Sequence, residues 1–148
     1  MIAMRRGVLA ALVCLLASGP AAALDFRSLA EPTVMYDAPS VKAQPLFVVA
    51  RYTPVEVVVA LEGWLKVRDA TGGLAWIEKR AVAESRTLMV NVPRAQVRAQ
   101  AVASAPLVFE AEKAVVLELV EAGPPGWARV KHRDGQTGFV SASQVWGL

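Results

Sequence analysis

Apolar and charged side chains alternate with a period of two in short bursts along this chain, separated by glycine, proline and charged turns. From Trp64, one face carries Trp64, Lys66 and Arg68 and the other Leu65 and Val67. From Trp127, the two sets are Trp127, Arg129 and Lys131 against Ala128 and Val130. Runs such as "VEVVVAL" and "VVLELVEA" are too short for typical helices, and their Val-rich composition predicts strands. "RDATGG" and "HRDGQTG" supply hairpin turns, because Gly-Gly and Asp-Gly pairs tolerate the positive φ that a tight reversal needs. The pattern predicts an all-β chain.

It also predicts two copies of one folding unit. Residues 34–82 overlay 95–145 with a two-residue insertion before Gly126. Trp64, Val67, Gly72, Trp76, Ile77 and Val82 then recur as Trp127, Val130, Gly135, Phe139, Val140 and Val145 at the same internal spacing. This overlay sets Tyr36 opposite Val97. Between the copies, "AESRTLMVNVPRAQ" contains no flexible spacer, and "TLMVNV" itself predicts a strand. The units are therefore expected to abut.

The first 23 residues follow a different rule. Arg5-Arg6, the apolar run "GVLAALVCLLA" and the small residues "SGPAAA" have the order of a secretory signal peptide cleaved after Ala23. The apolar run is too short to span a bilayer core, which takes roughly 20 helical residues. No membrane span is expected after cleavage. Val13 before Cys14 does not supply the small residue that a lipidated cysteine needs. The expected organisation is a signal peptide over 1–23, one unit over 24–86 and a second over 87–148.

Removing that leader changes the charge picture. The whole chain has 16 basic and 13 acidic side chains; the leader takes two basic ones, leaving fourteen against thirteen, or +1. The remaining Lys and Arg are interleaved with Asp and Glu, which argues against a nucleic-acid partner. The one cysteine, Cys14, lies in the leader. The exported chain thus has neither a disulfide nor a thiol nucleophile, and its small units must rely on apolar burial and on each other.

The stretch "GWARVKHRDGQTGFVSASQV" resembles the second half of an SH3 barrel, with Gly-Trp opening a strand, a distal hairpin, Gly-aromatic-Val, a short turn and a final Val. Together with "PVEVVVALEGWLKVRD", "SRTLMV" and the closing "VWGL", it makes the chain from about residue 30 on resemble exported bacterial SH3-like proteins with two tandem modules. The resemblance implies two small SH3-like β-barrels. It also implies that Trp64 and Trp127 stand where SH3 domains place a ligand-contacting Trp. Tyr36, Trp76 and Phe139 complete the candidate ligand-binding residues. Packing is the stronger competing role for Trp64, Trp127, Trp76 and Phe139, and Trp146 is expected to pack within or between units. The groove-lining Pro and Tyr of SH3 domains are replaced by Glu78 and Ala81 in one unit and by Ser141 and Gln144 in the other, which argues against proline-rich peptides.

No catalytic residue, metal site or cofactor is expected. His132 is the sole histidine and belongs to a turn, so neither a Cys-His pair nor a histidine zinc site can be assembled. Two functions compete. One is a non-enzymatic periplasmic module that contacts peptidoglycan or an envelope protein. The other is a structural scaffold whose modules pack on each other or on a partner.

Overall fold

The computed structural model describes residues 23–148; the expected leader, save its last residue, lies outside them, as does Cys14. The first unit contains β1 (Asp25–Leu29), β2 (Thr33–Tyr36), β3 (Pro45–Val49), β4 (Pro54–Leu61), β5 (Trp64–Arg68), β6 (Leu74–Glu78) and β7 (Val82–Ala83). The second contains β8 (Thr87–Val90), β9 (Arg94–Arg98), β10 (Leu107–Glu112), β11 (Val116–Ala122), β12 (Trp127–Lys131), β13 (Thr137–Ser141) and β14 (Val145–Trp146). A single 3₁₀ turn precedes the last strand of each unit, at Lys79–Ala81 and Ala142–Gln144. The two sheets run β3-β2-β6-β5-β4-β1-β7 and β10-β9-β13-β12-β11-β8-β14, the same order repeated, and every strand pairing is antiparallel. The chain is thus a tandem of two SH3-like domains.

The alternation read from the sequence fills the two cores. Leu65, Val67, Ala75 and Ile77 point inward with Leu29, Met35 and Val55; Ala128, Val130 and Val140 do so with Leu88, Val90, Val97 and Leu117. Leu29, Val67, Ile77, Leu88, Val97, Leu117 and Val130 are wholly buried. Removing a Leu or Ile side chain from water in this way contributes about 1.5–3 kcal/mol each. The Gly-Trp echo also has a local cause. Gly63 and Gly126 adopt φ of +76° and +86°, which turns the chain from β4 into β5 and from β11 into β12. Open space surrounds both, so backbone conformation and not crowding selects glycine there. Their carbonyls then accept from Lys79 N (2.9 Å) and Ala142 N (2.8 Å), anchoring the two 3₁₀ turns alike.

The units meet along a seam. Only Glu84, Ser85 and Arg86 lie between β7 and β8. The buried Ser28 hydroxyl of β1 donates to the Ser85 carbonyl, and the Thr87 hydroxyl of β8 donates to the Tyr52 carbonyl at 2.6 Å. Phe26 of β1 and Trp146 of β14 stack edge to face, with ring centroids 5.0 Å apart and planes at 82°. The Arg86 guanidinium lies 5.8 Å from the Phe26 centroid and donates through Nη2 to the Gly147 carbonyl. Among the described residues its buried Nε has no hydrogen-bond partner. Gly147 itself has φ +117°, and a Cβ there would fall 2.9 Å from Thr87 O and 3.4 Å from Pro54 Cβ.

Gly147→Ala therefore combines a strained φ with a backbone clash in the seam. We expect it to destabilise the protein by about 1–3 kcal/mol, read as a lower midpoint in urea unfolding; a midpoint unchanged within error would contradict this packing.

Candidate functional site

Antiparallel register assembles an aromatic face on the outside of the first unit. Tyr36 of β2 lies opposite Trp76 of β6, and Trp76 lies opposite Lys66 of β5. Trp64, two residues before Lys66 and on the same side of β5, lies opposite Glu78. Tyr36 and Trp64 reach across the intervening strand to meet edge to face, with centroids 5.7 Å apart and planes at 82°. Lys66 Nζ sits 5.9 Å from the Trp76 ring centroid. All three rings are half-buried, so each packs on its neighbours and still presents surface to solvent.

A charged rim borders these rings. Arg80 Nη2 pairs with Glu78 at 2.9 Å, and Arg80 Nη1 with Glu31 at 3.8 Å. Glu78 chiefly, and Glu31 in addition, hold the Arg80 guanidinium above the ordinary arginine value, so it is charged at any working pH. Between Tyr36 and this triad opens a pocket of about 250 Å³, lined also by Thr33 and Val34. The rim unites Glu31 from the loop after β1 with Arg80 from the 3₁₀ turn. No sequence spacing announces that pairing, because its members lie 49 positions apart in the chain.

The second unit carries a different face. The sequence overlay set Val97 against Tyr36, and the structure corrects it by one residue. Val97 is wholly buried and occupies the place of Met35, while Arg98 pairs with Phe139 as Tyr36 pairs with Trp76. Strand side chains alternate between faces, so a slip of one residue exchanges a core residue for a surface one. Arg98 is tied locally, donating through Nη1 to Ala105 O (2.9 Å) and through Nη2 to Gln96 Oε1 (2.6 Å). Trp127 lies opposite Ser141, and Phe139 opposite Arg129; both rings are half-buried. Among the described residues, neither has an aromatic partner. The five sequence-selected aromatics are thus divided: Tyr36, Trp64 and Trp76 form one cluster, and Trp127 with Phe139 occupies the matching but ring-poorer face.

Positions 78 and 81 do not build an apolar groove. Glu78 is held by Arg80, and Ala81 is 3% exposed in its 3₁₀ turn. His132 follows β12 in the distal hairpin, its Nδ1 3.1 Å from Asp134 and its ring 5.5 Å from Phe109. The Asp134 carboxyl sits below the usual carboxylate range, mainly because it accepts from the Gln136 backbone and side-chain amides. Among the described residues, no group of three or more His, Cys, Asp or Glu is placed to hold a metal ion, and no helix is long and apolar enough to cross a membrane.

The sequence profile described as bacterial SH3 domain matches the chain twice, over residues 30–84 and 91–147. No curated protein matches the sequence. Among solved structures, similarity is found to NlpC1 from Trichomonas vaginalis, at 15% identity and a TM-score of 0.39, covering 92% of this chain and 50% of that one. NlpC2 from the same organism gives 14% identity, a TM-score of 0.38 and coverage of 84% and 48%. An NlpC/P60 family protein from Bacillus cereus ATCC 10987 gives 12% identity, a TM-score of 0.36 and coverage of 82% and 56%. The chain spans about half the length of each of these proteins.

The Tyr36–Trp64 contact is open to a double-mutant cycle in urea. Alanine at either position and at both is expected to give a coupling of about 0.5–1.5 kcal/mol, the range for edge-to-face rings. A coupling near zero would mean that the two rings do not form one surface.

Proposed function

Because the chain belongs to the bacterial SH3 domain family in both of its units, we propose that it is a non-enzymatic binding protein of the cell envelope whose principal contact surface is the Tyr36–Trp64–Trp76 face. Bacterial SH3 domains are typically binding modules, often for the cell wall. On this reading residues 1–23 direct export to the periplasm, and 24–86 and 87–148 are the two modules. Peptidoglycan is the preferred ligand, an envelope protein the other candidate.

The observation that carries the reading is the edge-to-face meeting of Tyr36 and Trp64 beside Trp76 on an open face. Rings held by one another lose little side-chain freedom on binding, which favours a pre-formed surface. They offer flat apolar area for stacking against sugar or peptide, while Glu31, Glu78 and Arg80 supply polar contacts at the edge. Trp127 and Phe139 would add a weaker second contact, with Arg98 in place of a third ring. Proline-rich helices are poorly served, since Glu78 occupies a groove position in an ion pair.

The scaffold reading draws on the seam. Phe26 and Trp146 are spent on packing between units, which is what a structural role would use aromatic residues for. It does not account for Trp64, whose ring partner lies in its own unit.

Co-sedimentation of the chain from residue 24 with purified cell wall is the direct test. Losing one stacked ring corresponds to about 0.5–1.5 kcal/mol, or roughly a two- to thirteenfold drop in affinity. Trp64→Ala should show a drop in that range and Trp127→Ala a smaller one. Failure of the unaltered chain to pellet, or equal pelleting by Trp64→Ala, would count against the proposal.

A further inference from the structure

A second concavity, distinct from the aromatic face, lies between the two units. It encloses about 770 Å³ and is lined from the first unit by Ala50–Thr53 and from the second by β8, by Ala114–Val116 and Glu118, and by Lys131–Arg133. That volume falls within the roughly 300–1,000 Å³ of small-ligand sites. Its floor is mixed: Tyr52, Met89, Val115 and Val116 provide apolar area, and Thr53, Ser85 and Thr87 provide polar groups.

Charge in this groove is one-sided. Arg51 enters from the first unit, Lys131 and Arg133 from the second, against one lining carboxylate, Glu118. Glu118 faces Lys131 directly across the β11–β12 ladder, which leaves the two arginines in surplus. Their state sets them apart from the other arginines, although the five lysines of the described residues are likewise outside the ion pairs. Of nine arginines among the described residues, Arg27, Arg68, Arg80, Arg94 and Arg129 are in ion pairs, and Arg86 and Arg98 donate to protein oxygens. Only Arg51 and Arg133 have no protein acceptor among the described residues, and both line this one groove. Two exposed guanidinium forks without protein acceptors, one from each unit, give this concavity a positive lining that suits an anion.

The mount is firm on the Arg51 side. Arg51 lies 4.6 Å from the Tyr52 ring centroid, and Tyr52 is held at φ 70° by two backbone contacts: its N–H donates to Leu29 O at 2.9 Å, and its carbonyl accepts from Thr87 Oγ1 at 2.6 Å. The second contact crosses the seam, so closing the seam also positions this side of the groove.

We infer that the groove between the units binds a short acidic peptide, one carboxylate engaging Arg51 and a second engaging Arg133, with the peptide stem over Tyr52, Val115 and Val116. Two planar forks, one contributed by each unit, suit carboxylates, each able to accept a bidentate pair. The assignment is independent of the aromatic-face reading, since it shares no residue with that surface.

The test is an NMR titration of the ¹⁵N-labelled chain from residue 24 at low salt, with terminally blocked tetraglutamate, blocked tetraglutamine and inorganic tripolyphosphate as separate probes. Tetraglutamate is expected to shift the amides of residues 50–53, 114–116 and 131–133 and to leave those of 36, 64 and 76 in place. Tetraglutamine should shift neither set. The double variant Arg51→Gln/Arg133→Gln, whose replaced side chains are exposed, should weaken tetraglutamate at least tenfold with the remaining spectrum preserved. Trp64→Ala should bind it as the unaltered chain does, so failure of the aromatic-face proposal is read separately. Absence of tetraglutamate binding, shifts scattered over other arginines, a double variant within twofold of the unaltered chain, or tripolyphosphate shifting the groove while tetraglutamate is silent would each overturn the assignment.

Discussion

The edge-to-face contact of Phe26 with Trp146 closes a seam on which the rest of the molecule depends. Each unit is small and disulfide-free, the size at which apolar burial is marginal. Packing one unit on the other removes further apolar surface from water and gives the buried Thr87 hydroxyl its partner at Tyr52 O, while the connector supplies Ser85 O to the Ser28 hydroxyl. With a three-residue connector and a glycine at 147 admitting Thr87 and Pro54 closely, the seam leaves little freedom for one unit to swing on the other.

That constraint explains how two copies of one fold came to present different surfaces. Their strand orders are identical, and their cores match residue for residue over much of their length. Outward positions diverge instead: Tyr36 becomes Arg98, Trp76 becomes Phe139, and the Glu78–Arg80 pair has Ser141 in place of its acid. Inward positions are bound by packing and outward ones are free to change. The proposed division of labour, an aromatic face on one unit and a cationic groove shared by both, uses this freedom.

Much of the fold was legible because it is written locally. Alternation at Leu65 and Val67 marks a core face, a glycine before each tryptophan marks a turn with positive φ, and the "TLMV" stretch at the junction is β8. Misplacing Tyr36 against Val97 shows where such reading fails. The pairing of Arg98 with Phe139 and the burial of Val97 fix which side chain of β9 faces out. The Glu31–Arg80 rim and the meeting of Arg51 with Arg133 were invisible for a further reason: each joins residues far apart in the chain, and the second requires the docking of two units.

The central claim is that the two units form one body, held along the seam by Phe26, Trp146 and Thr87. Backbone ¹⁵N relaxation measured on the chain from residue 24 addresses it most directly. One rotational correlation time shared by β1–β7 and β8–β14, lost in Trp146→Ala, is the predicted result. Two distinct, shorter correlation times in the unaltered chain would contradict it.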